Sequence, residues 1–293
     1  MNDSTSGLIH LLEKINDPSH PAEAMREDVA QLDVARRWEL VCLLIKKTGC
    51  KAAHFLHVPK TGGTTLCEAL AERGSARVIY VDSDPLTFAS HLKSACCAES
   101  QAPILTRAHH PHSVMEKVFS TGLIDLVFSS YRDPVSLHIS NVNMIMRRMN
   151  LYFSTPSRLT EWETRFCTTW QGRFESDYEN TDSFAKRLLL SDSYIRHMGS
   201  IYNKLFNTGE AVTSIAKKQI KIIYYKDLDS VFTNMTGDCA VPERRNVSDN
   251  TRVIESELSS EERARIIGND DGILGLIRKF LVGPFDISAY FNR

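Results

Sequence analysis

Short apolar runs alternate along this chain with longer stretches of mixed polarity, and the alternation sets the first expectations. Phe55-Leu56-His57-Val58 is one such run, closed by Pro59 and a glycine-containing turn, after which Leu66-Cys67-Glu68-Ala69-Leu70-Ala71-Glu72-Arg73 has a strongly helix-forming composition. The predicted order is strand, loop, helix. Further runs at Val78-Ile79-Tyr80-Val81, Ile104-Leu105-Thr106, Leu126-Val127-Phe128-Ser129 and residues 220–225 are separated by stretches long enough for helices. Repeated units of this kind predict an α/β fold with a central parallel sheet flanked by helices.

The flanks of that pattern read differently. Within residues 1–50, Leu32, Val34, Ala35, Trp38, Leu40, Val41 and Leu44 recur at roughly helical spacing before Gly49, which predicts a helical N-terminal extension. Residues 51–293 are expected to form the main domain. Between Leu137 and Lys218 no run reads as a strand, so a helical insertion around 141–218 is expected to wall the substrate side of a cleft. In the tail, Ser259-Ser260-Glu261-Glu262 before Ala264 and Ile266 predicts a helix start, with Gly283-Pro284 as its close.

Composition narrows the partners. The 293 residues include 35 Lys and Arg against 36 Asp and Glu, so the chain has no global positive field to draw it to nucleic acid or to an anionic membrane. Any anion site must be local. The seven cysteines, at positions 42, 50, 67, 96, 97, 167 and 239, form no CxxC pair, and their odd number argues against a complete disulfide framework. The N-terminus lacks the pattern of a secretory leader, and no stretch of about 18 consecutive apolar residues occurs. A cytoplasmic protein without an integral membrane segment is expected. Asn234-Met235-Thr236 and Asn246-Val247-Ser248 fit the glycosylation tripeptide, a pattern that arises often by chance.

The candidate chemistry begins at Pro59-Lys60-Thr61-Gly62-Gly63-Thr64-Thr65. Gly62 and Gly63 let the backbone approach an anion, and the helix that follows aims its first N–H groups and positive dipole end at the same point. Lys60 adds a cation, and Thr61, Thr64 and Thr65 add hydroxyls. A Walker A loop needs a glycine four residues before its Gly-Lys-Ser/Thr triplet, whereas here Lys60 precedes the glycine pair and position 56 is leucine. An ordinary ATPase or GTPase loop is disfavoured. Read alone, the segment is also compatible with a plain strand-to-helix turn.

A second element follows the run at 126–129: Ser130-Tyr131-Arg132-Asp133-Pro134, with Ser140 further on. If Pro134 opens a helix, Arg132 sits at the strand end and Ser140 about two turns along, and both can reach one phosphate. The planar guanidinium fork and a serine hydroxyl suit a terminal phosphomonoester. Read alone, Arg-Asp-Pro is more often the mark of a capped helix start.

Together the two elements resemble the sulfotransferase superfamily that uses 3′-phosphoadenosine 5′-phosphosulfate (PAPS). Residues 57–66, His57-Val58-Pro59-Lys60-Thr61-Gly62-Gly63-Thr64-Thr65-Leu66, look like that family's 5′-phosphosulfate loop, nearest the carbohydrate enzymes of the heparan sulfate 2-O and 6-O type and their bacterial relatives. Arg132 with Ser140 matches the family's 3′-phosphate element. The resemblance spans roughly residues 53–141 and extends more weakly to Ile222-Ile223-Tyr224-Tyr225-Lys226-Asp227-Leu228, where Lys226 replaces a usual glutamate. Arg244-Arg245-Asn246-Val247-Ser248 resembles a loop that closes over the nucleotide, so Arg245, Asn246 and Ser248 join the expected donor site; a solvated basic turn explains the same residues.

The resemblance implies a P-loop-kinase-like sulfotransferase fold, PAPS as donor, 3′-phosphoadenosine 5′-phosphate (PAP) as product and a hydroxyl of a carbohydrate or glycolipid as acceptor. Lys60 is the candidate for stabilising charge on the oxygen that leaves the donor. For the base, Arg107-Ala108-His109-His110-Pro111-His112 follows the run at 104–106, and His109 matches the family's histidine, with Ala108 in place of its usual glycine. His109, His110 and His112 are also readable as metal ligands or as incidental loop residues, but no carboxylate or CxxC completes a set, and the mechanism requires no metal. The Golgi enzymes of this branch carry an anchor, so the chain is expected to be a bacterial cytoplasmic enzyme or a catalytic domain trimmed of its anchor, the bacterial reading being preferred. Two other readings stay open: a nucleotide-dependent phosphotransferase with an atypical loop, for which Asp125 precedes its strand where a Walker B carboxylate would follow, and a nucleotide-binding protein without catalysis.

Overall fold

The computed structural model describes residues 3–97, 102–109, 116, 118–174, 178–198, 201–206, 220–237, 253–268 and 270–282. They fall into two compact units, one within Met1–Tyr131, Leu205–Glu243 and Leu276–Arg293, the other within Arg132–Lys204 and Arg244–Gly275.

The first unit is an α/β layer structure. Its helices are α1 (Asp3–Asn16), α2 (Arg26–Ala30), α3 (Val34–Thr48), α4 (Gly63–Glu72) and α5 (Pro85–Cys97), and its first four strands are β1 (Ala52–Leu56), β2 (Arg77–Tyr80), β3 (Ile104–Ala108) and β4 (Leu126–Tyr131). Later segments add β5 (Ile220–Tyr224), α11 (Leu228–Thr236) and β6 (Leu281–Val282). The strands form one six-stranded sheet in the order β2-β3-β1-β4-β5-β6, and every pairing is parallel. The expected fold class is what the chain adopts.

Successive strand residues feed two different cores, which is why the central strands read as continuous apolar runs. Ala52 of β1, Ile104 and Ala108 of β3, and Ile79 of β2 pack with Leu8, Leu12, Trp38, Leu44, Phe88 and Leu92 from α1, α3 and α5. Ala53 and Phe55 of β1, Leu105 of β3, Phe128 of β4 and Ile223 of β5 pack with Leu66 and Leu70 of α4 and Val231 and Phe232 of α11. All residues of β1, β3 and β4 are buried.

The described residues before β1 are largely helical, and they share their core with the sheet. In α3, Asp33 caps the start by accepting from Arg36 N, and Gly49 closes the end in the left-handed region at φ 64°. Arg37 ties α3 to the end of β2, donating from Nη1 to Val81 O at 3.1 Å and Ser83 O at 2.6 Å.

The second unit is helical among the described residues: α6 (Pro134–Ser154), α7 (Glu161–Phe174), α8 (Asp182–Leu190), α9 (Asp192–Met198), the start of α10 (Ile201–Phe206), α12 (Ser260–Ile267) and most of α13 (Asp271–Lys279). Its core joins Val142, Ile145 and Met149 of α6 to Trp170 of α7, Leu188 of α8, Tyr194 of α9 and Ile266 of α12. Ser259 and Glu262 form a capping box at the start of α12.

Three boundaries differ from the sequence reading. The first strand begins at Ala52 and ends at Leu56, not Val58; His57 still donates its N–H to Ala108 O at 2.9 Å, but Pro59 and the left-handed Lys60 turn the chain away. The single C-terminal helix is two, broken around Gly268, where Asp270 N donates to Ile267 O and Asp270 O receives Leu274 N. The two-residue β6 carries no readable period.

Candidate functional site

In the strand order, β1 lies between β3 and β4, so the chain leaves β1, visits β2 at the sheet edge, returns through β3 and crosses to β4. The loop after the carboxyl end of β1 therefore lies where the connections change direction, the usual place for ligands in an open parallel sheet. The Pro59–Thr65 segment is the loop after β1.

Its shape follows from three residues. Lys60 lies in the left-handed region at φ 66°, among the described residues the one non-glycine that does. A bulky side chain there carries strain on the order of 1 kcal/mol. Gly62, at φ 84°, is the N-cap of α4 and has no side chain to cap the first turn, so those amides face outward from the helix start. Gly63 packs against the sheet: a Cβ there would lie 2.2 Å from Phe55 Cε1 and 2.5 Å from His57 Cδ2. Only glycine brings the helix start this near β1.

Thr61 is fully buried. Its Oγ1 donates to Val58 O at 2.6 Å and lies 2.5 Å from Ser130 Oγ of β4. A hydroxyl has one proton, so Ser130 is the donor in the second contact. The Thr61 hydroxyl therefore shapes the loop, while Thr64 and Thr65, in the first turn of α4, are partly exposed.

Beside the loop stands a group that sequence reasoning passed over. Arg107, on β3 and 9% exposed, donates to Nδ1 of the buried His57 from Nε at 2.9 Å and Nη2 at 2.7 Å, and stacks 4.4 Å above the Tyr80 ring. His109 is exposed; its Nδ1 lies 2.7 Å from His57 O, its Nε2 lies 3.3 Å from His57 Nδ1, and its N–H donates to Asp82 Oδ2 at 2.8 Å. Burial, reinforced by the electrostatic effects of Arg107, His109 and Lys60, holds the His57 imidazole well below its ordinary pKa, so it is neutral. Lys60 and His109 thus both act electrostatically on one ring at the foot of the loop. His57 stood inside the loop motif, and Arg107 was a charge within a strand buried at every position; that burial pattern is the signal that would have found it.

Two titratable groups of this unit are excluded, one from a nucleophilic role and one from a Walker-type reading. Burial pushes the Cys67 thiol of α4 up to about 12, which keeps it protonated. Asp125 accepts from Ala52 N at 2.9 Å with Lys51 Nζ 3.5 Å away, which fixes it at the amino end of β4, the opposite end from the loop. An open cleft of about 470 Å³ lies along the edge strand β2, lined by Glu68, Tyr80, Thr87 and His91 and by none of the loop residues.

In the helical unit, Arg132 is held on three sides. Its N–H donates to Tyr202 Oη at 2.9 Å, the same hydroxyl donates to Arg132 O at 2.6 Å, and Nε donates to Ser136 Oγ at 3.1 Å. Asp133 caps α6 by accepting from Val135 N and Ser136 N, with Pro134 in the first turn, as the sequence predicted. Arg132, Ser136 and the partly exposed Ser140 follow one another at four-residue steps, so they share one face of the helix start. Ser136 and Tyr202 were absent from the sequence reading, and no local pattern marks a partner as distant along the chain as Tyr202.

Arg245, Asn246 and Ser248 lie outside the described residues, as do His110 and His112. Among the described residues no group of three or more His, Cys, Asp or Glu is placed to hold a metal, and no helix is long and apolar enough to cross a membrane. Comparison of the chain with protein-family models, with curated proteins and with solved structures finds no match in any of the three.

Proposed function

We propose that the protein is a PAPS-dependent sulfotransferase that moves a sulfuryl group to a hydroxyl of a carbohydrate or glycolipid. The observation that carries this reading is the loop after β1: an uncapped helix start behind Gly62, a lysine in a strained left-handed conformation, and a histidine, His109, on the neighbouring strand's exit. Strain at a single lysine within an anion-binding turn points to a role for that side chain in binding or catalysis.

The residues fit the chemistry of the donor. The first-turn amides of α4, Lys60 and the hydroxyls of Thr64 and Thr65 would hold the 5′-phosphosulfate, and Arg132 with Ser136 and Ser140 would hold the 3′-phosphate. In the transfer, the acceptor oxygen forms a bond to sulfur as the bond from sulfur to the phosphate oxygen breaks, and the electron pair leaves on that oxygen. Lys60 stabilises the charge developing there, and His109 takes the acceptor's proton. Arg245, Asn246 and Ser248 remain candidates for closing over the nucleotide.

A magnesium-dependent phosphotransferase has less support, because Asp125 is bound to Ala52 at the wrong end of its strand for a Walker B role. Incubation with radiolabelled PAPS and a panel of glycans, beside calorimetry with PAP and with ATP and Mg²⁺, tests the reading. Labelled glycan and PAP binding are the expected results; ATP binding without PAP binding would favour the phosphotransferase, and PAP binding without transfer a non-catalytic protein.

A further inference from the structure

The ladder between β2 and β3 ends on a side chain. Val81 N–H donates to Arg107 O at 3.0 Å, so the parallel pattern makes Val81 O the next acceptor, for the N–H of His109. That carbonyl accepts instead from Arg37 Nη1 of α3 at 3.1 Å, and the second proton of the same nitrogen goes to Ser83 O at 2.6 Å. The His109 N–H goes to the Asp82 carboxylate at 2.8 Å. One arginine therefore grips the turn on both sides of Asp82, and Asp82 supplies the bond that the ladder does not make. Arg37 is itself held 5.1 Å above the Phe88 ring of α5, and its charge faces Asp82 and Asp84.

We propose that Arg37 and Asp82 are positioning residues for His109, which gives the helices before β1 a part in the site. Arg37 fixes the turn after β2, the turn presents the Asp82 carboxylate, and the carboxylate fixes the backbone of His109 at the exit of β3. The inference rests on the reading of His109 as the base in hydroxyl transfer. Both residues act through His109 and not on the reacting atoms. With its N–H on Asp82 and its Nδ1 2.7 Å from His57 O, His109 is held at backbone and ring, so its side chain leaves the sheet in one direction. Displacing a reacting group by about 1 Å costs up to about a hundredfold in rate, so a tether here acts on the chemical step more than on donor affinity. Asp82 is exposed, so its bond can be removed without opening a cavity.

The test uses the full chain and two readouts. Hydrogen exchange resolved at single amides reports the His109 N–H directly. That amide is expected to be protected in the wild type and in Asp82→Asn, whose amide oxygen still accepts, and to lose protection by about tenfold or more in Asp82→Ala and Arg37→Met. In PAPS-dependent turnover, Asp82→Ala and Arg37→Met are each expected to lower kcat by about tenfold or more while PAP affinity stays within about twofold, and Asp82→Asn to restore most of kcat. Arg37→Met combined with Asp82→Ala is expected to lose no more than Asp82→Ala alone, because Arg37 acts through Asp82, whereas unrelated damage at two places adds. Arg37→Lys keeps a donor for the two carbonyls and serves where Arg37→Met fails to fold; partial protection of the His109 amide is its expected result. An unprotected His109 amide in the wild type, an unchanged kcat in Asp82→Ala, or additive losses in the double variant overturns the proposal. A wild-type protein that neither binds PAP nor transfers sulfate removes the sulfotransferase reading instead, and the exchange rates still decide the tether.

Discussion

The hydroxyls of Thr61 and Ser130 meet at 2.5 Å inside the protein, joining the Pro59–Thr65 loop to the strand beside it. The Thr61 hydroxyl donates its hydrogen bond to Val58 O and accepts from Ser130, so one hydroxyl ties the loop to β4. Thr61→Val keeps the shape and removes that hydroxyl, leaving buried polar groups without it. A loss of about 1–3 kcal/mol in urea unfolding is expected, with weaker PAP binding, and Thr61→Ser is expected to retain both.

Gly63 is the tightest point of the site. Alanine there must displace Phe55 Cε1 from 2.2 Å and the His57 ring from 2.5 Å, and both side chains are buried. Gly63→Ala is expected to cost about 1–3 kcal/mol and to abolish PAP binding by pushing α4 away from β1. Gly62→Ala meets Leu228 Cδ1 at an ordinary 3.4 Å, so its cost comes from the backbone at φ 84° and is expected to be about 1 kcal/mol. Denaturation curves of the two variants, compared side by side, check the ranking.

Arg132 is expected to act on binding more than on the chemical step. Arg132→Ala is expected to weaken PAP by about tenfold or more, the scale of a lost hydrogen bond to a charged group, with kcat at saturating PAPS little changed. Tyr202→Phe removes the hydroxyl that holds both backbone groups of Arg132, and a smaller loss of PAP affinity is expected from it. Titration calorimetry on the two variants distinguishes them; a kcat loss in Arg132→Ala with unchanged affinity would contradict this assignment.

Stability should fall in mild acid. In the helical unit, His138 is buried with Nδ1 3.0 Å from Tyr194 Oη, and burial lowers its pKa from 6.5 to about 4. A histidine depressed in the folded state favours the neutral form, so its contribution is fully present above the unfolded value and is lost as pH falls from about 6.5 towards 4. His57 acts in the same direction. For His138 the loss is on the order of 3 kcal/mol across that window. Urea unfolding at pH 7 and near pH 4.5 is expected to show the decline, and His138→Gln to flatten it.

The strands and the helix starts were legible because their signals are local. The central strands are buried on both faces, so their runs stand out whatever packs against them, and Asp133-Pro134 and Ser259 announce helix starts through their own hydrogen bonds. Nothing local reveals that the hydroxyl of Thr61 turns inward to Val58 and Ser130, because threonine in a phosphate-type loop reads as a ligand donor. Arg107 read as part of the base-bearing stretch, yet its partners His57 and Tyr80 come from other strands' ends. The clamp of Tyr202 on Arg132 depends on a contact across 70 positions of chain, beyond any periodic pattern.

The role proposed for the loop after β1 is to hold the phosphosulfate end of a donor nucleotide. Titration calorimetry of the purified chain with PAP, against ATP with Mg²⁺ as the competing ligand, tests it most directly. Saturable one-to-one binding of PAP, lost in Gly63→Ala and weakened in Arg132→Ala, is the predicted result; no heat of PAP binding to the wild type would contradict it.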